Sequence, residues 1–112
     1  MKTIVRSQKH LNFIRQTPCL ISFQLPSQAC HIRVLTDCGT GIKPSDFFTL
    51  PFIYQYHKLQ GEMGEVKFYK HFGINPFKEV SNLIRLSTCK KVKQHKDLVE
   101  EKILSYARIH KD

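Results

Sequence analysis

Residues 28–57 read QACHIRVLTDCGTGIKPSDFFTLPFIYQYH, and their pattern decides the fold. At the start of this stretch Cys30, Ile32 and Val34 alternate with His31 and Arg33, the two-residue period of a half-buried strand. That period puts the histidine and the arginine on the face opposite the apolar set. Just upstream, Cys19–Phe23 (CLISF) is also strand-like and is separated by the turn residues Gln24-Leu25-Pro26-Ser27, so the pair predicts a β-hairpin. Downstream, Thr36–Asp46 carries Gly39, Gly41 and Pro44, which no regular element tolerates together, and reads as a loop. From Phe47 the chain starts extended, meets Pro51, and turns into a short helix bearing Tyr54, His57 and Lys58.

Helices flank this centre. Ser7–Gln16 opens on a capping serine, spaces Leu11 and Ile14 for one face, and is stopped by Thr17-Pro18. A helix is predicted from about Glu62 to Phe72, ending at Gly73. Asn75-Pro76 is a cap followed by proline at the first helical position, and Phe77, Val80, Leu83 and Ile84 supply an apolar stripe. Residues 88–96 (TCKKVKQHK) read as a linker too polar to pack. A last amphipathic helix spans Asp97 to His110, with Val99, Ile103 and Tyr106 on one side. The fold class predicted is α+β, with a main unit over residues 1–87 and a basic linker plus amphipathic helix over 88–112.

The chain has 112 residues, one domain's worth, with 18 Lys+Arg against 9 Asp+Glu and a net charge of +9. This size leaves no room for a two-lobed enzyme or a large barrel. Residues 1–36 hold Lys2, Arg6, Lys9, Arg15 and Arg33 and not one acid. Only 37–65, with Asp37, Asp46, Glu62 and Glu65 against Lys43 and Lys58, is locally acidic. A basic envelope of this kind suits contact with phosphates. No run approaches the ~18 apolar residues of a membrane span, and Arg6, Lys9 and His10 interrupt the apolar start. A cytoplasmic protein without a membrane partner is expected, with Cys19, Cys30, Cys38 and Cys89 reduced. Cys30, alternating with Ile32, reads as a small core residue.

A strand histidine, a loop and a helix histidine follow the strand–strand–helix order of metal-dependent HNH nucleases. The wording carries the likeness further. His31-Ile32-Arg33, the loop Gly39-Thr40-Gly41 with Lys43, Pro44 and Asp46, Pro51 and His57, Gly64-Glu65 with Phe68, and Gly73-Ile74 with Pro76-Phe77 resemble motifs of phage and prophage HNH-type proteins. The family is that of the Ref-like recombination-enhancement nucleases and their relatives, and the likeness covers roughly residues 6–86. It implies an HNH-like core acting on DNA, single-stranded DNA included, by phosphodiester hydrolysis. His31 and His57 would be the catalytic pair. His31 would be the general base, a role suited to an imidazole because it titrates near neutrality. His57 would help hold a divalent cation such as Mg²⁺, with Asp46 either ordering the loop or reaching the metal. Lys43 would bind a flanking phosphate, with Arg33 and Lys58 as further nucleic-acid contacts.

Two departures qualify the resemblance. Relatives build a zinc knuckle from paired cysteines; here Cys19 remains, but Ser22, Ile53 and Tyr56 stand at the other positions, so no structural zinc is expected. Packing of Ile53 and Tyr56 against the hairpin is expected in its place, while a rescue site from Cys19, Cys30 and Cys38 matches no known knuckle. Relatives also carry a second histidine one turn after the helix histidine, where this chain has Gly61. A weak enzyme is one outcome, and a catalytically inactive, nucleic-acid-binding remnant is the other. A third reading is a small interaction protein that meets a protein partner through residues 97–110. His10, His71, His95 and His110 lack partners at ligand spacing and read as surface residues.

Overall fold

Capping and turn chemistry set most of the helices. The Ser7 hydroxyl accepts the His10 amide and opens α1 (Gln8–Arg15). Asn75 caps α4 (Pro76–Leu86), its side-chain oxygen taking the amides of Phe77 and Lys78. Gly73 ends α3 (Glu65–Phe72) in the left-handed conformation at φ 67°, where a β-carbon would be strained. The computed structural model describes residues 4–36 and 41–110. Among them, six helices surround a two-stranded antiparallel sheet, which makes the chain an α+β protein.

The sheet pairs β1 (Gln28–His31) with β2 (Thr49–Phe52), in a register that sets Cys30 against Leu50 and His31 against Thr49. This corrects the predicted hairpin. Cys19–Phe23 forms turns instead of a strand, with the Cys19 amide on the Gln24 carbonyl and the Phe23 amide back on the Cys19 carbonyl. The strand partner is the stretch holding Pro51, which lacks an amide but offers its carbonyl to Leu20 on the outer edge, where a proline is tolerated. All four residues of β2 are buried, so no alternation marks it as a strand. The expected facing holds for Cys30 and Ile32, fully buried, against half-buried His31 and exposed Arg33; the strand itself ends at His31, and Val34, past that end, is half-buried like His31.

Phe52 leads straight into α2 (Tyr54–Met63), which breaks from α3 at Gly64, φ 87°. Glu62 and Met63 therefore belong to α2, and the next helix starts later than the pattern suggested. Aromatic rings weld the layers together. Phe52 meets Phe68 of α3 edge-on at 5.4 Å, and Phe48 meets Phe77 of α4 at 5.8 Å.

The stretch expected to be too polar to pack contains α5 (Lys90–Lys93), with Val92 fully buried and Cys89 nearly so. One apolar residue per helical turn suffices to seat a four-residue helix, and the lysines beside it stay outward. Helix α6 (Lys96–Ile109) lies along α4, with Val99 and Tyr106 buried, Tyr106 edge-on to Phe77, and the Asn75 amide on the Ile103 carbonyl. Its Lys102 donates to the Leu35 carbonyl in the turn after β1. No helix among the described residues is long and apolar enough to cross a membrane.

Candidate functional site

Two histidines flank β1, and different parts of the chain hold them. His31 closes the strand, and its Nε2 lies 2.9 Å from Asp46 Oδ1. The His31 side chain is 18% exposed and that of Asp46 only 7%, so solvent reaches the imidazole but hardly reaches the carboxylate behind it. In the neutral tautomer that donates Nε2–H to Asp46, Nδ1 carries the lone pair and can take a proton.

Asp46 is in turn fixed by the N-terminal segment. Its Oδ2 accepts the Ser7 amide at 2.8 Å, and Arg6 Nη1 approaches Oδ1 at 3.3 Å. The Asp46 amide donates to the Val5 carbonyl, the Val5 amide to Ser45 Oγ, and the Arg6 guanidinium spans the carbonyls of Lys43 and Pro44. Burial alone would push the Asp46 carboxyl up. The Ser7 amide, His31 and Arg6 outweigh it and hold the carboxyl below the usual range, so it is ionised at neutral pH.

His57 sits on α2 with Nδ1 2.7 Å from Gln28 Oε1 at the other end of β1. Burial, and secondly the nearby His31, lower its pKa, which keeps the ring neutral at pH 7. Donation of Nδ1–H to Gln28 leaves Nε2 with the lone pair, the arrangement that metal-binding imidazoles use. Gln28, Tyr54, His57, Lys58, Gln60 and Gly61 line a pocket of about 380 Å³. His57 is thus tied to the Gln28 end of β1 and His31 closes the other end, where Asp46 bonds to it. Among the described residues, no three of His, Cys, Asp and Glu gather as a metal-binding group.

The three basic candidates separate. Arg33 and Lys58 are both exposed, the first just past the end of β1 and the second lining the pocket beside His57. Lys43 is exposed as well, and its carbonyl is held by Arg6. Asp37, Cys38, Gly39 and Thr40, including the cysteine of the alternative rescue site, lie outside the described residues.

At the knuckle positions, burial pushes the Cys19 thiol up, but the hydroxyl and amide of Ser22 with the amides of Ile53 and Ile21 pull it down further. Sequence positions 19, 22 and 53 are therefore brought together. Ile53 is half-buried, and Tyr56 packs edge-on to Phe72 at 5.6 Å, on α3 instead of on a hairpin. Cys30 lies in the core, where burial, then Glu65, push its thiol up to about 12.

Three residues escape the sequence reading. Arg6 and Ser7 anchor Asp46 from 40 and 39 residues away, which no local pattern announces. Glu65 accepts the amides of Arg33 and Val34 and the Tyr69 hydroxyl, fixing the exit of β1; the Gly64-Glu65 pair was its only trace. His10, expected at the surface, is fully buried with Nδ1 2.9 Å from Ser87 Oγ and Nε2 without a partner. It shares the inner stripe of α1 with Ile14 four residues on, and a neutral imidazole fills that place. His95 and His110 are half-buried, His95 stacked on Phe47 at 4.8 Å. Comparison with family models, with curated proteins and with solved structures gives no match for this chain.

Proposed function

We propose that the chain is a phosphodiester hydrolase acting on DNA in the manner of HNH nucleases, with His31 as general base. The observation that carries the reading is the His31–Asp46 pair, 2.9 Å apart, with an ionised carboxylate behind an imidazole that water can reach. His31 Nδ1 would take a proton from a water as its oxygen bonds to phosphorus. The phosphorus–oxygen bond to the leaving strand breaks, and the leaving oxygen takes a proton from solvent. Asp46 orients the ring and stabilises the imidazolium that forms. The order β1, β2, α2, with one histidine before and one after the second strand, supports the same reading.

His57 Nε2 is the nitrogen that would hold a divalent cation such as Mg²⁺ or Mn²⁺. With a single imidazole offered, the rest of the shell would be water and substrate oxygens, which such cations accept. When bound, the cation would neutralise charge on the scissile phosphate.

The test is cleavage of single-stranded and supercoiled DNA with Mg²⁺ or Mn²⁺, beside His31→Ala and Asp46→Asn. Cutting should vanish in the first variant and fall about 10²–10⁴-fold in the second, the span a positioned base contributes. DNA bound but uncut under every metal would overturn hydrolysis. It would leave the second reading, a nucleic-acid-binding protein that has lost catalysis, which Gly61 at the position one turn after His57 favours.

A further inference from the structure

We infer that Arg6, Lys9, Lys43, Lys90, Lys91 and Lys93 form one surface that holds the phosphate backbone of a nucleic-acid strand and leads it to His31. The inference rests on the reading above and adds where the strand lies. These cations come from three separate parts of the sequence, and specific contacts draw them together. Lys91 Nζ donates to the Arg6 carbonyl at 2.6 Å, tying α5 to the segment before α1 across 85 residues. Arg6 reaches the Lys43 carbonyl at 2.9 Å, which brings the backbone of the loop lysine against it. Ser7 Oγ lies 3.1 Å from Cys89 Sγ, which sets the first turn of α1, with Lys9, beside the start of α5. All six residues are exposed.

Their charge is not neutralised from within. Among the described residues, Lys9, Lys43, Lys90, Lys91 and Lys93 form no ion pair, and the one acid beside Arg6 is Asp46, already shared with His31 and the Ser7 amide. Folding therefore gathers like charges whose repulsion no ion pair within the chain's described residues offsets. An external polyanion relieves that repulsion. A phosphate backbone is the partner favoured here, because the guanidinium in the middle of the patch touches the carboxylate that orients His31. A strand lying along α5 and the residue 43–46 loop thus ends at the imidazole.

The experiment reads binding alone, with EDTA present and His31→Ala in every protein, so that it stands apart from cleavage. Fluorescence anisotropy of labelled single-stranded and duplex oligonucleotides is recorded from 50 to 200 mM salt. The variant Lys90→Gln/Lys91→Gln/Lys93→Gln should bind about tenfold or more weakly at low salt. Its slope of log K against log salt should flatten by about 2–3, since each phosphate contact contributes ~0.7–0.9. Lys67→Gln/Lys78→Gln/Arg108→Gln removes the same charge elsewhere and should change either quantity far less. Because Lys91 also braces Arg6, Lys90→Gln/Lys93→Gln alone should carry about two-thirds of the slope change, with the melting temperature unaltered. Equal weakening by both triple variants would mean that net charge alone acts, and no weakening by the α5 triple would mean that α5 touches no strand. Either result overturns the inference, as would loss of binding to phosphatidylserine vesicles with oligonucleotide binding unchanged. If the wild type fails to cut DNA yet the α5 triple loses binding as described, the surface stands and hydrolysis falls.

Discussion

His31 and His57 belong to one candidate site but are held in opposite ways. His31 leans on a buried carboxylate that the segment before α1 and the loop before β2 grip together, so its surroundings are also part of what folds the chain. His57 leans on one amide, Gln28, at the rim of a pocket. A residue whose support is shared with the core cannot change cheaply, whereas one supported at the surface can. That asymmetry fits a chain in which the first histidine is braced from several sides while the residue one turn after the second is a glycine.

The largest effect should come from striking the well-held side. Asp46→Asn leaves Arg6 and the Ser7 amide facing a group that carries no charge and offers a single acceptor oxygen. Arg6 is half exposed and stays in water, so the cost is about 1.5–3 kcal/mol for each charge-assisted hydrogen bond to the buried carboxylate that Asn does not replace. Chemical denaturation should show a loss of that order, and His57→Ala should show less than about 0.5 kcal/mol, the usual range for a surface change. Equal losses would erase the contrast between the two histidines.

Acid should separate two buried groups on the same side. Burial lowers His10 to about 4, against a smaller upward pull from Asp46, so the unfolded chain binds a proton on this residue that the folded chain does not. Stability from His10 is intact above its unfolded value near 6.5. It falls by on the order of 3 kcal/mol as pH drops from about 6.5 to about 4. Asp46 has the opposite charge change but a depressed pKa as well. Its stabilisation is present above the unfolded value near 3.9 and is lost only as pH falls further. Denaturation midpoints against pH should therefore decline in two stages. His10→Leu should flatten the upper stage and Asp46→Asn the lower; a His10→Leu profile that still declines between pH 6.5 and 4 would show that another group titrates there.

How far the sequence reveals this depends on whether the signal is local. Ser7, Asn75-Pro76 and Gly73 mark helix ends because capping is settled within four residues, and those ends lie where they should. The strand His31 and the helix His57 follow from period and position in the same way. Strand pairing is not local: Cys19–Phe23 reads as apolar and extended, while the true partner hides behind Pro51 and uniform burial. The support of His31 is less legible still, since Arg6, Ser7 and Asp46 meet across some 40 residues by backbone and side-chain bonds that leave no spacing rule. Lys90–Lys93 looked like solvated linker because one buried valine cannot outvote three lysines in composition.

The weakly held side should also respond to loss of its one support. Gln28→Ala removes the acceptor that fixes the His57 tautomer. Stability should change by less than about 0.5 kcal/mol. Metal dependence should shift by about 10–100-fold, the usual cost of losing a partner that orients a metal-binding imidazole. A metal titration of cleavage that is unmoved in this variant would remove His57 from the site.

A small gain in stability, in place of a loss, accompanies the test of whether the glycine after His57 limits the site. Gly61 lies inside α2, one turn beyond His57, and an added β-carbon there meets nothing within 4 Å. Gly61→His relieves the backbone entropy of a mid-helix glycine, which should add about 0.5 kcal/mol. It also sets two imidazoles at i and i+4, the spacing that lets a helix offer two nitrogens to one cation. Isothermal titration with Mn²⁺ or Zn²⁺ should show tighter binding in Gly61→His than in the parent, and combination with His57→Ala should abolish the gain. A thermal shift without any change in metal affinity would place the deficit elsewhere in the site. Because His31 and its carboxylate are untouched by this substitution, any rise in DNA cutting that accompanies the gain assigns the weakness to the side of the molecule where change is cheap.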